Sequence, residues 1–563
     1  MTKNYLDILA ETIRNNCDAP ALTDFYLTED GSTQDTSRGK AYTYGEMYAE
    51  LCRVAELLTS LGLQKGDHIA ICGANSAHWV IAYLAIAKMQ GVSVTVMHTL
   101  MPDEIARFVD FSDTKALFTE EGIWAELLPS FQGEELCSIE RPVDGRRISG
   151  DRLSSVISLA DWSILSGEKI QISNLKSPIS NSDCGFPQSN PDSLAMICFT
   201  SGSTNGAKGV MLSYRSISAN IAYTQKNIPT HVGRSEVCSL PLAHMFSLTI
   251  ECLYQITWGT HVYLIPHMLS AATLFKAYSV AKPCMIMTVP FVLDKVFTNY
   301  IFPSLNSPLI KFLWNTPLLC KIVERKLYKQ LLQLFGGNVC WLITGGAAVN
   351  LEIEKIFRRI RFPFVVGYGM SEAGPLICYD EWFDEVLGCC GKVVDFCELK
   401  IQKNDEDSVA GEILFRGEHL MLGYYKQPEF TARKMDADGW FHTGDVGYLD
   451  KYGHLFITGR LEQDMIVLPN GENIHPEDIE RKINALPEVS ESIVLARDGK
   501  LVAIVVPQIT NDQSPMTNTD LRRMVLRKVN PSLPLYSQLY DVEITDVPLQ
   551  KTEKQTIKRY LYR

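Results

Sequence analysis

None of the fifteen cysteines in this 563-residue chain sits in a C-x-x-C pair. That absence excludes the usual spacing of zinc ribbons and dithiol redox centres. The odd cysteine count and the adjacent Cys389-Cys390 argue against a disulfide framework. The cysteines therefore read as small apolar residues of a reduced, cytoplasmic chain. Long apolar runs are missing too. The most apolar stretch, about 237–266, is broken by Pro241, His244, Glu251 and Gly259, as expected of a buried core and not of a membrane span. The first sixteen residues lack the uninterrupted apolar centre of a signal peptide and read as an amphipathic helix. Positive charge is not in excess: the net charge of −12 argues against nucleic acid as the main partner, since that binding needs a basic face. Composition neither requires nor forbids peripheral contact with a membrane. Repeats and low-complexity tracts are absent.

What is present is an ordinary globular balance, 46% apolar and 21% charged, in a chain too long for one core. Residues 42–118 alternate helical and strand-like stretches: a helix over 44–61, a strand over 67–72, a helix over 77–89, a strand over 92–96 and a helix over 103–113. This alternation predicts an α/β fold with doubly wound, mostly parallel sheets and helices on both faces. A polar connection spans about 173–191, and a second βα series runs from 237 to 366. From Gly388 short strands with Gly and Asp turns predict a β-rich subdomain. The last hundred residues read as a small α+β unit: a hairpin-like pair at 492–496 and 501–507, a helix at 519–529 and a strand at 540–547. The expected division is a large domain over 1–461 and a mobile C-terminal domain over 462–563.

Four clusters carry chemistry. In Phe199-Thr-Ser-Gly-Ser-Thr-Asn-Gly-Ala-Lys-Gly209 an apolar strand stops in a loop of hydroxyls, glycines and one lysine. Its backbone N–H groups and Lys208 are suited to phosphate oxygens. It is not the common P-loop, because Lys208 is followed by Gly209 and not by Ser or Thr. A flexible surface turn is the plainer alternative for the loop taken alone. The second cluster, Gly367-Tyr-Gly-Met-Ser-Glu372, follows the strand-like Phe364-Val-Val366, where α/β folds place ligands. Tyr368 could stack on a planar base, and Glu372 offers a hard oxygen to Mg²⁺. The third, Asp438–Asp445 followed by Gly459-Arg460, holds a carboxylate that could accept ribose hydroxyls, or equally a turn aspartate between two strands. The fourth, Asn470–Pro476, reads as a tight hairpin turn ahead of a helix beginning near Glu477.

In this order and over nearly the whole chain, these clusters resemble the adenylate-forming (AMP-binding) superfamily. The segments Pro241–Phe246, Thr344–Ala348, Ile466–Gly471 and Ile557–Tyr560 look most like long-chain fatty acid–CoA ligases. The resemblance implies ATP, Mg²⁺ and CoA as cofactors, with a fatty acid as substrate and an acyl carrier protein as the alternative acceptor. It implies that Thr200, Ser201, Gly202, Ser203, Thr204 and Lys208 hold the β- and γ-phosphates. Gly346, Ala347 and Tyr368 would enclose adenine, with Gly367, Gly369 and Met370 completing that turn. Ser371 would face the α-phosphate, Glu372 would bind the metal, and Asp445 with Arg460 would hold the ribose. His244 would shape the entrance to the acyl pocket; a lone histidine in an apolar stretch is otherwise more often a satisfied core residue. After rotation of the small domain, the turn at Gly471 would lie beside the site.

The chain departs from the pattern near its end. The family's adenylating lysine falls in a segment resembling P-K-T-x-x-G-K-I-x-R; here it is Gln550–Arg559, with Thr556 at the lysine position and Gln555 at the glycine. Lys554 and Lys558 are the nearby cations. Asn205 replaces a glycine of the phosphate loop, and Asp464 is the expected hinge. The implied activity is AMP-forming acyl–CoA ligation. A ligase loading a carrier protein and a catalytically weakened binder of acyl-adenylate or ATP are the alternatives.

Overall fold

The computed structural model describes residues 2–28, 39–132, 153–167, 184–200, 208–228, 230–266, 271–317, 319–384, 386–403, 408–460, 466–468, 472–474, 476–508, 517–550 and 561–562. Thr200 and Arg460 are described by backbone alone. Ser201, Gly202, Ser203, Thr204, Asp464, Gly471, Lys554 and Thr556 lie outside the described residues, as does much of the polar connection.

An eight-stranded sheet forms the first layer. Its order is 423–424, 208–213, 194–200, 92–95, 68–72, 116–119, 155–158 and 164–167. The five strands from 194–200 to 155–158 run parallel, as the βα alternation predicts. Both edges are antiparallel additions. Helix Tyr44–Ser60 begins at a reciprocal cap: the Glu46 N–H donates to Thr43 Oγ1, and the Thr43 N–H donates to Glu46 Oε2. Helix Ala77–Lys88, capped by Ser76, is buried on nearly all sides. It is apolar all round because it lies beneath the preceding helix and against the sheet.

A second layer holds a four-stranded sheet (235–238, 261–264, 20–24, 41–43) and a parallel three-stranded sheet (285–288, 341–344, 364–366). Glu236, 2% exposed, joins them by accepting the backbone N–H groups of Cys284 and Met285. Burial pushes its carboxyl up to about 8. Glu251, also buried, is pushed up to about 7. Each carboxyl binds a proton more tightly folded than unfolded, so stability is greatest below about pH 4.5 for these groups and falls as pH rises through 7 to 8. His419, pushed down to about 3 by burial, acts in the opposite sense, and its contribution falls as pH drops below 6.5. For these groups the highest unfolding temperature is therefore expected near pH 4.5, with several kcal/mol lost by pH 8 at about 1.4 kcal/mol per unit. Glu236→Gln should flatten the alkaline limb in a pH series of calorimetric scans. An unchanged slope would show that Glu236 does not carry it.

The β-rich part is a four-stranded antiparallel sheet, 397–402, 411–417, 441–449 and 455–460, beside a small sheet of 368–369, 376–379 and 392–393. The C-terminal residues form a sheet of 489–497, 500–507 and 541–544 under helices Pro476–Asn484 and Asn518–Val529, with their own apolar core around Ile483, Val494, Val505 and Val525. Among the described residues no helix is long and apolar enough to cross a membrane.

Candidate functional site

Strand Leu194–Thr200 and strand Lys208–Ser213 form an antiparallel hairpin in which Thr200 opposes Lys208. Lys208, read from the sequence as part of the loop, begins a strand that runs to Ser213. Gly209 is required by crowding, since a Cβ there would stand 2.9 Å from Ile197 Cγ2. The neighbouring strand Gly423–Tyr424 pairs with Val210 and Met211. It delivers the Tyr424 hydroxyl to Glu372 Oε1 at 2.7 Å, while the Met421 N–H donates to the Glu372 carbonyl at 2.9 Å. Glu372 occupies the single helical turn Ser371–Ala373. Its charge also reaches back under the loop: burial first, then Glu372, hold the Cys198 thiol up at about 11. The metal candidate and the phosphate hairpin therefore share one end of the sheet. Sequence reading did not find Tyr424, which nothing local marks.

The carboxyl ends of two adjacent parallel strands build the second wall. Gly367 N–H donates to the Thr344 carbonyl at 2.8 Å, and a Cβ on Gly345 would stand 3.0 Å from the Gly367 carbonyl oxygen. Gly346 turns at φ +82°, a conformation that favours glycine. Gly369 approaches Pro375 so closely that a Cβ would meet its carbonyl at 2.0 Å. The Met370 N–H donates to that same carbonyl. These contacts place Gly346, Ala347 and Gly367–Ser371 around one mouth, where α/β sheets bind ligands.

Tyr368 is buried, and its hydroxyl donates to Asp445 Oδ2 at 2.7 Å. Burial and the Asp445 charge both push that hydroxyl's pKa up. Asp445 does not sit in a turn. It lies within strand Phe441–Leu449, directly opposite Arg460 on strand Leu455–Arg460. Gly444 at φ +77° and a register shift at Val446/Gly447 bend that strand without ending it.

His244 ends a turn from Pro241 that leads into a helix opening with π-helical turns at Ser247–Leu253. Two side chains fix the turn. Asn75 donates to the Leu240 carbonyl and accepts from the Leu242 N–H, each at 2.8 Å. Glu251 Oε2 accepts from the Leu240 N–H and the Ser247 hydroxyl. Glu251 first registered only as an interruption of an apolar run, and that buried carboxyl is the signal for the clamp. His244 lines a narrow cavity of about 30 Å³ with Met97, Leu100, Phe199, Glu472 and Tyr536. It admits little more than water in this conformation. Glu472 and Tyr536 come from the C-terminal residues, so that part closes over the strand leading to the phosphate loop. Burial, then Glu472 and Glu104, push the Tyr536 hydroxyl up. Strands 466–467 and 473–474 pair antiparallel, so Asn473 and Ile474, read from the sequence as part of a tight turn, lie in a strand. Among the described residues no cluster of three or more His, Cys, Asp or Glu could hold a metal alone.

The hairpin stem, the glycine-lined mouth and the C-terminal residues at one shared cavity fit an AMP-forming ligase of the acyl- and aryl-CoA class. The chain belongs to the AMP-binding enzyme family: the family profile matches residues 9–425, and the profile of the AMP-binding enzyme C-terminal domain matches 463–562. It is 26% identical over 548 residues to 4-coumarate–CoA ligase 2 of Oryza sativa subsp. japonica, covering 93% of this chain and 87% of that protein. It is 28% identical over 511 residues to fatty acyl-CoA synthetase A of Dictyostelium discoideum, covering 84% and 73%. The o-succinylbenzoate CoA synthetase structure from Bacillus subtilis superposes with TM-score 0.72 at 21% identity, covering 98% of this chain and 97% of that one. The family uses ATP and CoA with a carboxylic acid.

Proposed function

We propose that this protein activates a long-chain fatty acid as its acyl-adenylate and passes the acyl group to CoA, with residues 1–461 as the adenylating domain and 462–563 as a mobile C-terminal domain. The observation that carries the reading is the shared end of the sheets. There the stem of the phosphate hairpin, the Tyr424–Glu372 pair and the Tyr368–Asp445 pair accompany a cavity joining His244 to Glu472. The fatty acyl relative supports an alkyl acid, and the 4-coumarate–CoA ligase relative makes an aromatic acid the alternative.

In the first step a carboxylate oxygen of the acid attacks the α-phosphorus of ATP, and the bond to the β-phosphate oxygen breaks to release pyrophosphate. Hairpin residues 200–208, with the Lys208 ammonium, hold the β- and γ-phosphates and take up charge on the leaving group. Asp445 accepts ribose hydroxyls, and the Tyr368 hydroxyl orients that carboxylate while its ring, with Gly346 and Ala347, borders adenine. Glu372 fits Mg²⁺ as one hard carboxylate alongside substrate phosphates, the usual mode for that ion. When bound, Mg²⁺ supplies further neutralisation of phosphate charge. In the second step the CoA sulfur, having lost its proton, attacks the acyl carbon and AMP departs. For this step the small domain is expected to rotate and bring the turn at Gly471 beside the site; the neighbouring Glu472 lines the His244 cavity.

The test is acid-dependent pyrophosphate release for alkyl acids of eight to eighteen carbons and for 4-coumarate, together with thioester formation from synthetic acyl-adenylate. Long alkyl acids are expected to give the highest kcat/KM, and free CoA to accept the acyl group. Preference for 4-coumarate overturns the substrate. Thioester formed only on a carrier protein overturns the acceptor. No thioester from preformed adenylate overturns the reaction.

A further inference from the structure

The charge of this chain is unevenly distributed. Residues 271–361 carry twelve Lys or Arg against four Asp or Glu, within a chain whose net charge is −12. The acids of that stretch are largely occupied. Glu324 pairs with Lys321 at 2.7 Å and with Arg359 at 3.0 Å, Glu354 pairs with Arg358, and Glu352 with Lys355. A local positive field remains on an otherwise acidic protein.

The same region exposes apolar side chains. Helix Pro308–Asn315 buries none of its residues. Trp314 anchors it by stacking under the Arg359 guanidinium, 3.8 Å from the ring centre. Leu309 and Phe312, three residues apart, face away from that anchor and are 66% and 62% exposed. Ile322, also 62% exposed, and Leu319 continue the apolar surface onto helix Cys320–Leu334. One turn further along, Arg325, Lys326 and Lys329 are exposed. Arg325 and Lys329 border a recess of about 210 Å³ with Lys321, Arg359 and Arg361, in which Glu324 is the one carboxylate. Exposed apolar and cationic side chains thus share two successive helices, beside a basic recess large enough for a phosphate group.

We infer that this helical pair docks the protein on a membrane surface of anionic phospholipid, with Leu309, Phe312 and Ile322 entering the headgroup boundary. The surrounding lysines and arginines face lipid phosphates. Charge complementarity selects the occupant, because apolar insertion and basic attraction reinforce each other only at such a surface. A second copy of the chain meeting this patch with its own would set cation against cation. The four apolar side chains also fall far short of the ~800 Å² per partner of a stable dimer. The inference stands apart from the fatty-acid reading, since it needs no acyl substrate.

Sedimentation of the whole protein with vesicles, without ATP or fatty acid, tests it. Vesicles of phosphatidylcholine with 30% phosphatidylserine should bind the protein, and vesicles of phosphatidylcholine alone should bind it at least tenfold less. Raising ionic strength should weaken binding, because surface potential decays within a Debye length. Lys326→Gln and Lys329→Gln should each reduce partitioning about fivefold, and Phe312→Ser with Ile322→Ser should reduce it more than tenfold. These sites are exposed, so an unchanged melting temperature and unchanged CoA ligation of a short, soluble acid serve as fold controls. Failure to bind anionic vesicles overturns the inference, as does binding that ignores salt and all four substitutions. A patch that instead recruits an acidic protein would leave vesicle binding absent. Loss of vesicle binding with ligation intact separates this surface from the catalytic reading.

Discussion

Asp445→Ala is expected to lower kcat/KM for ATP by about a hundred- to thousandfold, with little change in fold. The carboxylate is 6% exposed and already accepts the Tyr368 hydroxyl at 2.7 Å, so it is fixed before nucleotide arrives. Two ribose hydroxyls donating to it would make charge-assisted hydrogen bonds of about 1.5–3 kcal/mol each. Their loss amounts to two or more powers of ten at about 1.4 kcal/mol per decade. The strand survives because its pairing with residues 411–417 and 455–460 is through the backbone. Tyr368→Phe separates the two roles. It leaves the acceptor and removes only the bond that orients it, so a loss of roughly fivefold, on the order of 1 kcal/mol, is expected. Nucleotide titration and pyrophosphate release measure both variants, with thermal melting as the check on folding. Unchanged ATP affinity in Asp445→Ala would remove the ribose assignment.

The contrast between those two residues also shows what the sequence could disclose. Helices at 44–60 and 77–88 were legible almost to the residue, because Thr43 and Glu46 cap one, Ser76 caps the other, and glycines follow both. The C-terminal hairpin was legible as two apolar runs flanking Asp498-Gly499, and the helix after it from its period-3.6 pattern. Lys208 was read as a phosphate ligand by residue type, yet its strand was hidden. Lys-Gly-Val-Met-Leu-Ser does not alternate, and its pairing comes from strand 194–200 across the loop. Asp445 was recognised but assigned equally to a turn, because Gly444 and Gly447 suggest one. The contacts that unite the site bridge long sequence separations, from Tyr368 to Asp445 and from Glu372 to Tyr424. No local pattern encodes such pairs; they follow from the order of strands in the sheets. The small C-terminal part was legible as a folding unit, but its seating of Glu472 and Tyr536 against Phe199 was not.

Thr556→Lys is expected to raise acid-dependent pyrophosphate release by about a hundredfold, the scale of one preorganised electrostatic contact to a transition state. Threonine has no charge to place against the phosphate as pyrophosphate departs, so the wild-type first step should be slow. Although residue 556 lies outside the described residues, both flanks of its segment are held. Leu549 is buried with Ile493, Leu495, Ile504 and Val506 on the C-terminal sheet. The Gln550 N–H donates to the Tyr562 hydroxyl at 2.7 Å, and the Arg497 guanidinium donates to the Tyr562 carbonyl. A lysine introduced at 556 is therefore carried between two anchored ends, which favours recovery of its role. The proposed second half-reaction needs no charge against a departing pyrophosphate, so thioester formation from synthetic acyl-adenylate should be the same in wild type and variant. Lys554→Ala completes the comparison. If adenylation in the wild type is merely weak, this substitution leaves it weak and Thr556→Lys restores it. If instead Lys554→Ala abolishes a brisk wild-type reaction and Thr556→Lys adds nothing, Lys554 supplies the charge. Silence of both variants with every acid, alongside retained ATP binding, would make the chain a sensor of nucleotide or acyl-adenylate and remove the ligase reading.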